Sequence, residues 1–261
     1  MIPSQSPETP LESWLNWQNE LQPFRFDPAF AAEIESEAAK LTAKQFQAKF
    51  PDSLFSVSPD NSAGKAAEKA EAPIDESLPP LEKLRIKVER CSACRLAAKR
   101  TKTVFGEGNP NAEIMFVGEG PGEDEDLSGR PFVGKAGQLL TKIIENGMKI
   151  PREQVYIANI VKCRPPANRD PMPDEAQCCI GFLKEQIKIV NPKILILLGK
   201  VAMKYLLGLE GAITKARESD YEYEGIKVFV TYHPSALLRN ESYKRPVWED
   251  IKKAMKYLGM M

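Results

Sequence analysis

The chain has 261 residues, 43% of them hydrophobic, with 36 Lys and Arg against 36 Asp and Glu. That length and apolar content support one or two domains with a real core, and no apolar run approaches the ~20 residues of a membrane helix. The start, MIPSQSPETP, lacks a basic region followed by an apolar one, so we expect no secretory signal. We expect a cytoplasmic protein that contacts no membrane.

The two parts of the chain carry opposite charge. Residues 1–80 hold 6 Lys and Arg against 13 Asp and Glu, a net charge of −7, so residues 81–261 carry the compensating +7. This asymmetry favours a polyanionic partner for the basic part.

The first 80 residues hold too little apolar periodicity for a domain. We interpret residues 1–55 as an acidic, partly helical extension, which is either a helical appendage or a segment that docks an unknown protein. Residues 56–80 are rich in Ala, Ser, Pro and Glu, which predicts a disordered linker. Residues 81–261 then form the folded domain.

Strands and helices alternate from residue 81 onward. The predicted strands cover residues 113–119, 154–163, 193–199 and 227–233. The predicted helices cover residues 134–147, 173–190 and 200–208, with a basic last helix ending near Leu258. Alternation of this kind predicts an α/β fold, a three-layer α/β/α sandwich around a central, mostly parallel four-stranded sheet.

Three unusual segments each follow a predicted strand. GEGPGEDED follows the first strand, CRPPANR follows the second and HPSALLRN follows the fourth. Because sites in parallel sheets gather at the carboxyl ends of the strands, we expect these segments to face one crevice. The third segment holds His233, the only histidine of the chain. On its own, such a histidine is more often a structural residue of a strand-to-helix turn than an acid–base group.

Five cysteines suggest a metal site. Cys91 and Cys94 form a C-x2-C pair, Cys163 follows the second strand, and Cys178 and Cys179 are adjacent on the next helix. Cysteine clusters of a reducing compartment bind metal more often than they form disulfides. Four thiolates suit zinc or an iron–sulfur cluster, and spacing alone favours zinc. Adjacent cysteines rarely both bind one metal, so one of Cys178 and Cys179 is spare.

The glycine-rich loop GEGPGEDED is a poor phosphate site, because its five carboxylates would repel a phosphate. It suits a tight turn whose backbone approaches a neutral planar ligand. Phe132, in the following GRPFVG, is by itself most often a core aromatic. In a base-binding crevice the same side chain would be a stacking platform.

Taken together, GEGPGEDED, GRPFVGKAGQLL, NIVKCRPPANRDP and HPSALLRN resemble the family-four, iron–sulfur uracil-DNA glycosylases over roughly residues 84–260. The resemblance implies a monofunctional hydrolase of base excision repair. Such an enzyme flips uracil out of single- or double-stranded DNA, cleaves the N-glycosidic bond and leaves an abasic site. It also implies a structural [4Fe–4S] cluster rather than zinc, held by Cys91, Cys94, Cys163 and Cys179. We further expect a monomer, associated with the nucleoid if the source is prokaryotic.

The resemblance also assigns roles to side chains. Phe132 would stack on the flipped base, and Asn159 would pair with N3–H and O4, which cytosine cannot match. His233, as a neutral imidazole, would donate to O2 as negative charge grows there. Glu119 would reach toward the ring or water, and Glu125 is favoured as the aid to the sugar cation or attacking water. The predicted uracil pocket comprises Gly118, Glu119, Gly120, Pro121, Phe132, Asn159 and His233.

Leucines after the histidine would fill the space that the flipped base leaves. The predicted DNA contacts are Lys162, Arg164, Leu237, Leu238 and Arg239, with further phosphate contacts at Arg169, Lys244 and Arg245.

Two other functions stay open. A relative that traps uracil-DNA covalently needs an extra histidine on an inserted loop, and this chain has one histidine and no evident insertion. A non-enzymatic nucleic-acid-binding module with a cysteine-held metal is the alternative from a different class.

Overall fold

A computed structural model describes residues 73–261, and the predictions for residues 1–72 lie outside the described residues. The last residues of the predicted linker form a turn in which the Asp75 carboxylate accepts from the Ser77 backbone N–H. The first helix then begins at Pro80, where proline suits the first helical position because its missing N–H would have no partner there.

One mixed sheet forms the centre of the domain, with the strand order β1-β3-β2-β4-β6-β5. Its strands are β1 Glu107–Gly108, β2 Ile114–Gly118, β3 Tyr156–Asn159, β4 Ile194–Leu198, β5 Tyr221–Tyr223 and β6 Ile226–Thr231. The four predicted strands are β2, β3, β4 and β6, and they pair in parallel. The predicted mostly parallel sheet is therefore confirmed at its centre.

The prediction of four strands is wrong by two, because β1 and β5 add antiparallel edges. Both edges are too short to give an alternating pattern in the sequence. The second predicted strand was also too long, since β3 ends at Asn159 and residues 160–163 continue as buried loop.

Helices cover both faces of the sheet. They are α1 Pro80–Arg90, α2 Glu123–Ser128, α3 Lys135–Lys142, α4 Pro173–Val190, α5 Lys200–Leu207, α6 Ile213–Ala216, α7 Pro234–Arg239 and α8 Lys244–Tyr257. The predicted helix 134–147 is α3 followed by a π-helical turn, Ile143–Met148. No helix within residues 73–261 is long and apolar enough to cross a membrane.

Two apolar cores separate the three layers. Successive residues of β2 alternate between them: Met115 and Val117 pack on one side, and Ile114 and Phe116 on the other. The first core packs against α1, α4 and α5, and the second against α3, α7 and α8. The three-layer α/β/α sandwich is thus confirmed, and it directs the loops after β2, β3 and β6 toward the same edge of the sheet.

Candidate active site

The three predicted loops do meet. A cavity of about 310 Å³ opens at the carboxyl edge of the sheet between the loops after β2, β3 and β6. It combines residues from every segment that the sequence singled out. Its walls are Glu119, Gly120, Pro121, Gly122, Glu125, Phe132, Ala136, Asn159, Pro165, Asn168, Arg169, His233, Ser235 and Arg239.

The floor of the cavity is closely packed around Gly118. A Cβ atom on Gly118 would lie 2.4 Å from Asn159 Oδ1 and 2.5 Å from Phe132 Cζ, well inside van der Waals contact. Glycine at the end of β2 is therefore what lets the Phe132 ring and the Asn159 amide approach one another. Gly118 was predicted to line the cavity, but it does not. It lies behind Phe132 and Asn159 and leaves the space that these two lining residues occupy.

Phe132 occupies an unusual backbone conformation. Its φ is +53°, in the left-handed region that costs a bulky residue free energy, and its side chain is only 6% exposed. Gly137 of α3 packs so tightly beneath it that a Cβ there would lie 1.9 Å from the Phe132 carbonyl. The strained turn directs the ring toward His233, with the two ring centroids 5.6 Å apart.

The amide of Asn159 is buried and incompletely paired. Asn159 is 1% exposed, and its Oδ1 has no hydrogen-bond partner in the described structure. A buried carbonyl oxygen without a donor costs about 1–3 kcal/mol. Because Asn159 lines the cavity, a ligand with an N–H group can remove that cost.

His233 is a neutral imidazole with a defined tautomer. The Ser235 backbone N–H, which can only donate, lies 3.2 Å from His233 Nδ1, so Nδ1 is the acceptor and Nε2 carries the proton. The Ser235 hydroxyl lies 2.8 Å from the same nitrogen. Burial, reinforced by the charge of Arg239, lowers the pKa of His233 to about 4. The ring therefore offers a donor, Nε2–H, to a ligand in the cavity.

The two glutamates have different surroundings. Burial, with a smaller effect from the nearby Asp170 charge, raises the pKa of Glu119 to about 7. The carboxylate of Glu125 accepts backbone N–H groups of Gly122, Val133 and Gly134, at 2.8–3.0 Å. Glu125 therefore holds the loop that carries Phe132 against the start of α3, while Glu119 has the freer carboxyl group.

Two predicted DNA contacts are wrong in this structure. Lys162 is 1% exposed, and its ammonium group donates to the Asn159 carbonyl and to Gln186 instead of reaching the surface. Leu237 is 2% exposed and packs in the core beneath α3. A buried side chain cannot contact a phosphate or enter a base stack without unfolding its surroundings.

Other predicted DNA contacts lie on the surface around the cavity. Leu238 is 52% exposed, and the adjacent Arg239 is exposed and has no hydrogen bond or ion pair within residues 73–261. Arg164 is partly exposed and donates to Asn168.

The three further basic residues predicted to contact phosphates already have acidic partners. Arg169 pairs with the buried Glu175. Lys244 and Arg245 pair with neighbours on their own part of the chain.

The cysteines line one small hollow between α1, the loop after β3 and α4. The backbone N–H of Lys162 donates to Cys179 Sγ at 3.2 Å, and Arg100 donates to Cys163 Sγ at 3.3 Å. Cys178 is exposed whereas Cys179 is buried. The donor set, four thiols with N–H groups aimed at two of them, fits a thiolate-held group in its chemistry. Within residues 73–261, however, no three such side chains are arranged to hold a metal ion.

Sequence reasoning missed several residues of the site. Ser235 fixes the histidine tautomer, and Pro165 and Asn168 form the wall contributed by the loop after β3. The role of Ser235 could have been predicted. His233 precedes a predicted helix, and the residue two positions after a helix N-cap presents its backbone N–H to the cap side chain. Nothing in the composition of the CRPPANR segment marks which of its residues face the cavity.

Comparison with known proteins identifies relatives of the domain. The profile of the uracil DNA glycosylase superfamily matches residues 105–252. A type-4 uracil-DNA glycosylase of Thermotoga maritima is 50% identical over 177 residues, which are 66% of this chain and 91% of that protein. A type-4 uracil-DNA glycosylase of Sulfurisphaera tokodaii is 49% identical over 181 residues, 66% of this chain and 82% of that protein. A type-5 uracil-DNA glycosylase of Pyrobaculum aerophilum is 32% identical over 148 residues, 50% of this chain and 64% of that protein.

Proposed function

Because the chain belongs to the type-4 uracil-DNA glycosylases of the uracil-DNA glycosylase superfamily, we propose that it removes uracil from DNA and leaves an abasic site. One observation carries the proposal. A single cavity holds an unpaired buried acceptor, Asn159 Oδ1, and a histidine whose free ring nitrogen is a donor. Uracil presents the complementary pair, an N–H at N3 and carbonyl oxygens at O2 and O4.

Recognition begins with extrusion of the base. Flipping costs a few kcal/mol, and stacking on Phe132 offsets part of that cost. Asn159 Oδ1 then accepts from N3–H while its amide N–H₂ donates to O4. Cytosine presents an acceptor at N3 and a donor at N4, so it would leave both groups of Asn159 mismatched in a buried site.

Cleavage separates charge across the N1–C1′ bond. The bonding electron pair leaves with the uracil ring, where the negative charge collects on O2, and the sugar becomes cationic at C1′. The Nε2–H of His233 donates to O2 as that charge develops, which supplies about 3 kcal/mol if it matches a typical preorganised donor. Because the imidazole is neutral, it stabilises the departing anion by hydrogen bonding without giving up its proton.

The water that completes the reaction adds its oxygen to C1′, and its proton passes to the departing uracil anion, directly or through solvent. Glu119 is the carboxyl group placed to orient that water or to offset the sugar cation, since its oxygens are not bound by the loop backbone as those of Glu125 are. Glu125 instead keeps Phe132 in place. This reverses the preference for Glu125 that the sequence suggested.

The surface around the cavity supports a DNA substrate. Arg239, which has no ion pair within residues 73–261, would supply a cation at the rim of the cavity for a phosphate. The exposed Leu238 beside it would enter the stack vacated by the base. Residues 81–261 carry a net charge of +7. We further propose that the enzyme acts as a monomer, and inside the cell, where its DNA substrate is found.

We propose further that Cys91, Cys94, Cys163 and Cys179 hold a [4Fe–4S] cluster. The burial of Cys179 and the N–H donor aimed at its sulfur support it over the exposed Cys178 as the fourth ligand. When bound, the cluster ties the segment after α1 to the loop after β3 and to α4, which is a structural contribution. The reacting atoms are handled by the residues of the cavity.

The test is excision from single- and double-stranded oligonucleotides that carry one uracil. Strand breaks that need alkali are expected, because the enzyme breaks the glycosidic bond only. Asn159→Ala and His233→Ala should each lose most excision, about a hundredfold for His233→Ala, while keeping the melting temperature of the parent. Intact oligonucleotides after treatment with the parent protein would overturn the proposal and favour a module that only binds DNA.

A further inference from the structure

A buried lysine lies between the cysteine hollow and the base-recognition site. Lys162 is 1% exposed and, within residues 73–261, has no carboxylate partner. Its side chain turns back along the chain, and its ammonium group donates to the Asn159 backbone carbonyl at 2.9 Å. A buried ammonium group is costly unless its bonds are well made, so its position needs a physical reason.

Helix α4 provides the anchor for this ammonium group. Lys162 Nζ also donates to Gln186 Oε1 at 2.5 Å. The amide N–H₂ of Gln186 is fixed in turn by the Phe105 carbonyl at 2.9 Å and the Tyr156 hydroxyl at 3.0 Å. Because both hydrogens of Gln186 are used, its oxygen has one orientation, and it directs the lysine toward the end of β3.

The backbone of the same lysine is fixed on the cysteine side. Its N–H donates to Cys179 Sγ, and Cys179 lies on α4, two turns before Gln186. The short segment from Asn159 to Cys163 is thus attached to one face of α4 at two points. The Lys162 bond therefore reaches Asn159 through its backbone carbonyl, and within residues 73–261 the side-chain Oδ1 of Asn159 has no hydrogen-bond partner.

We infer that Lys162 is a positioning residue, which holds Asn159 at the depth and angle that uracil recognition requires through its bond to Gln186. The inference rests on the proposed function and adds to it a residue that does not touch the base. A shift of about 1 Å in a recognition group can cost a hundredfold in rate. The hydrogen bonds of Lys162 would therefore affect catalysis although this residue does not contact the substrate.

The test is a double-mutant cycle in the full-length protein, measured as single-turnover excision of uracil from a single-stranded oligonucleotide. Lys162→Met keeps the linear side chain and removes the ammonium group. It should lower the rate about tenfold to a hundredfold, the usual effect of losing a hydrogen bond to a charged group. In an Asn159→Ala background the same change should alter the rate less than about threefold, because the group that it positions is gone.

A second cycle separates positioning from a general loss of structure. In a His233→Ala background, Lys162→Met should keep its full effect, since His233 lies on a different loop. Lys188→Met, at an exposed position of α4, is the matched control and should leave the rate unchanged. Equal effects of Lys162→Met in the parent and the Asn159→Ala backgrounds would overturn the inference.

Iron content and melting temperature are measured first for each variant. If Lys162→Met fails to fold or loses iron, Gln186→Met is carried through the same cycle, because it removes the anchor and leaves Lys162 in place. The same criterion then applies: loss of the effect in Asn159→Ala supports the inference, and an unchanged effect refutes it. A parent protein that does not excise uracil would refute the proposed function instead, so the two failures are distinguishable.

Discussion

Gly118→Ala should disable the cavity without unfolding the domain. Gly118 ends a buried strand whose backbone suits any residue, so the substitution acts only through the added methyl group. That methyl would lie 2.4 Å from Asn159 Oδ1, where ordinary contact begins near 3.4 Å. The amide, the ring of Phe132 or both must therefore move by about 1 Å, which is a displacement that costs on the order of a hundredfold in rate.

The assay is single-turnover excision on a uracil oligonucleotide, with Gly181→Ala as the matched control. Gly181 lies in α4, and a Cβ there would meet nothing within 4 Å. This control should keep the parent rate and gain up to about 1 kcal/mol of stability from its higher helix propensity. If Gly118→Ala excised uracil at the parent rate with an unchanged melting temperature, Phe132 and Asn159 could not be the groups that hold the base.

Two further predictions concern pH and the cluster. Because the pKa of His233 is lowered to about 4, the neutral ring persists far below pH 6.5. As pH falls through about 4, Nδ1 gains a proton and can no longer accept from the Ser235 N–H, so excision should fall because the ring loses the bond that orients its Nε2–H. The pKa of Glu119 is raised to about 7, so a carboxylate role makes the rate rise with pH through neutrality, and Glu119→Gln should abolish that rise while leaving the acid limb near pH 4. A step near neutrality that persists in Glu119→Gln would contradict the role of Glu119, and a step near 6.5 in that variant would contradict the lowered pKa of His233. Cys179→Ser should lose bound iron and the absorbance near 400 nm, whereas Cys178→Ser should keep both, and equal iron in the two variants would refute the choice of the buried thiol.

The sequence was sufficient for the centre of the fold. The strands β2 and β4 are continuous apolar runs, a pattern typical of strands that are buried on both faces. The loops that follow parallel strands must meet at one edge of the sheet. The convergence of Phe132, Asn159 and His233 followed from that rule and from four motifs. The edge strands were missed because two or three residues cannot establish a period.

The misassigned residues share a physical cause. Lys162 lies in the loop that follows β3, and Leu237 lies in the short helix α7. Neither segment is long enough to show the periodic pattern of apolar and polar residues that separates buried from exposed positions. A lysine two residues before an arginine suggests a basic surface, yet Lys162 follows three buried residues, from Asn159 to Val161, and continues the buried run. Likewise, only the hydrogen bond from Ser235 reveals which nitrogen of His233 carries the proton.

The two edge strands of the sheet limit how this domain can associate with a second copy of itself. A long exposed edge strand invites pairing with another chain, which is how folded β proteins begin to aggregate. Here the edge strands are short and antiparallel: β1 has two residues and β5 has three. On the β1 side, a Cβ atom at Gly108 would lie 1.8 Å from the Val155 carbonyl oxygen, so only glycine allows the close approach there. The folded domain thus offers a second copy almost no strand to pair with, and fibril growth on heating should follow the fraction of unfolded chains.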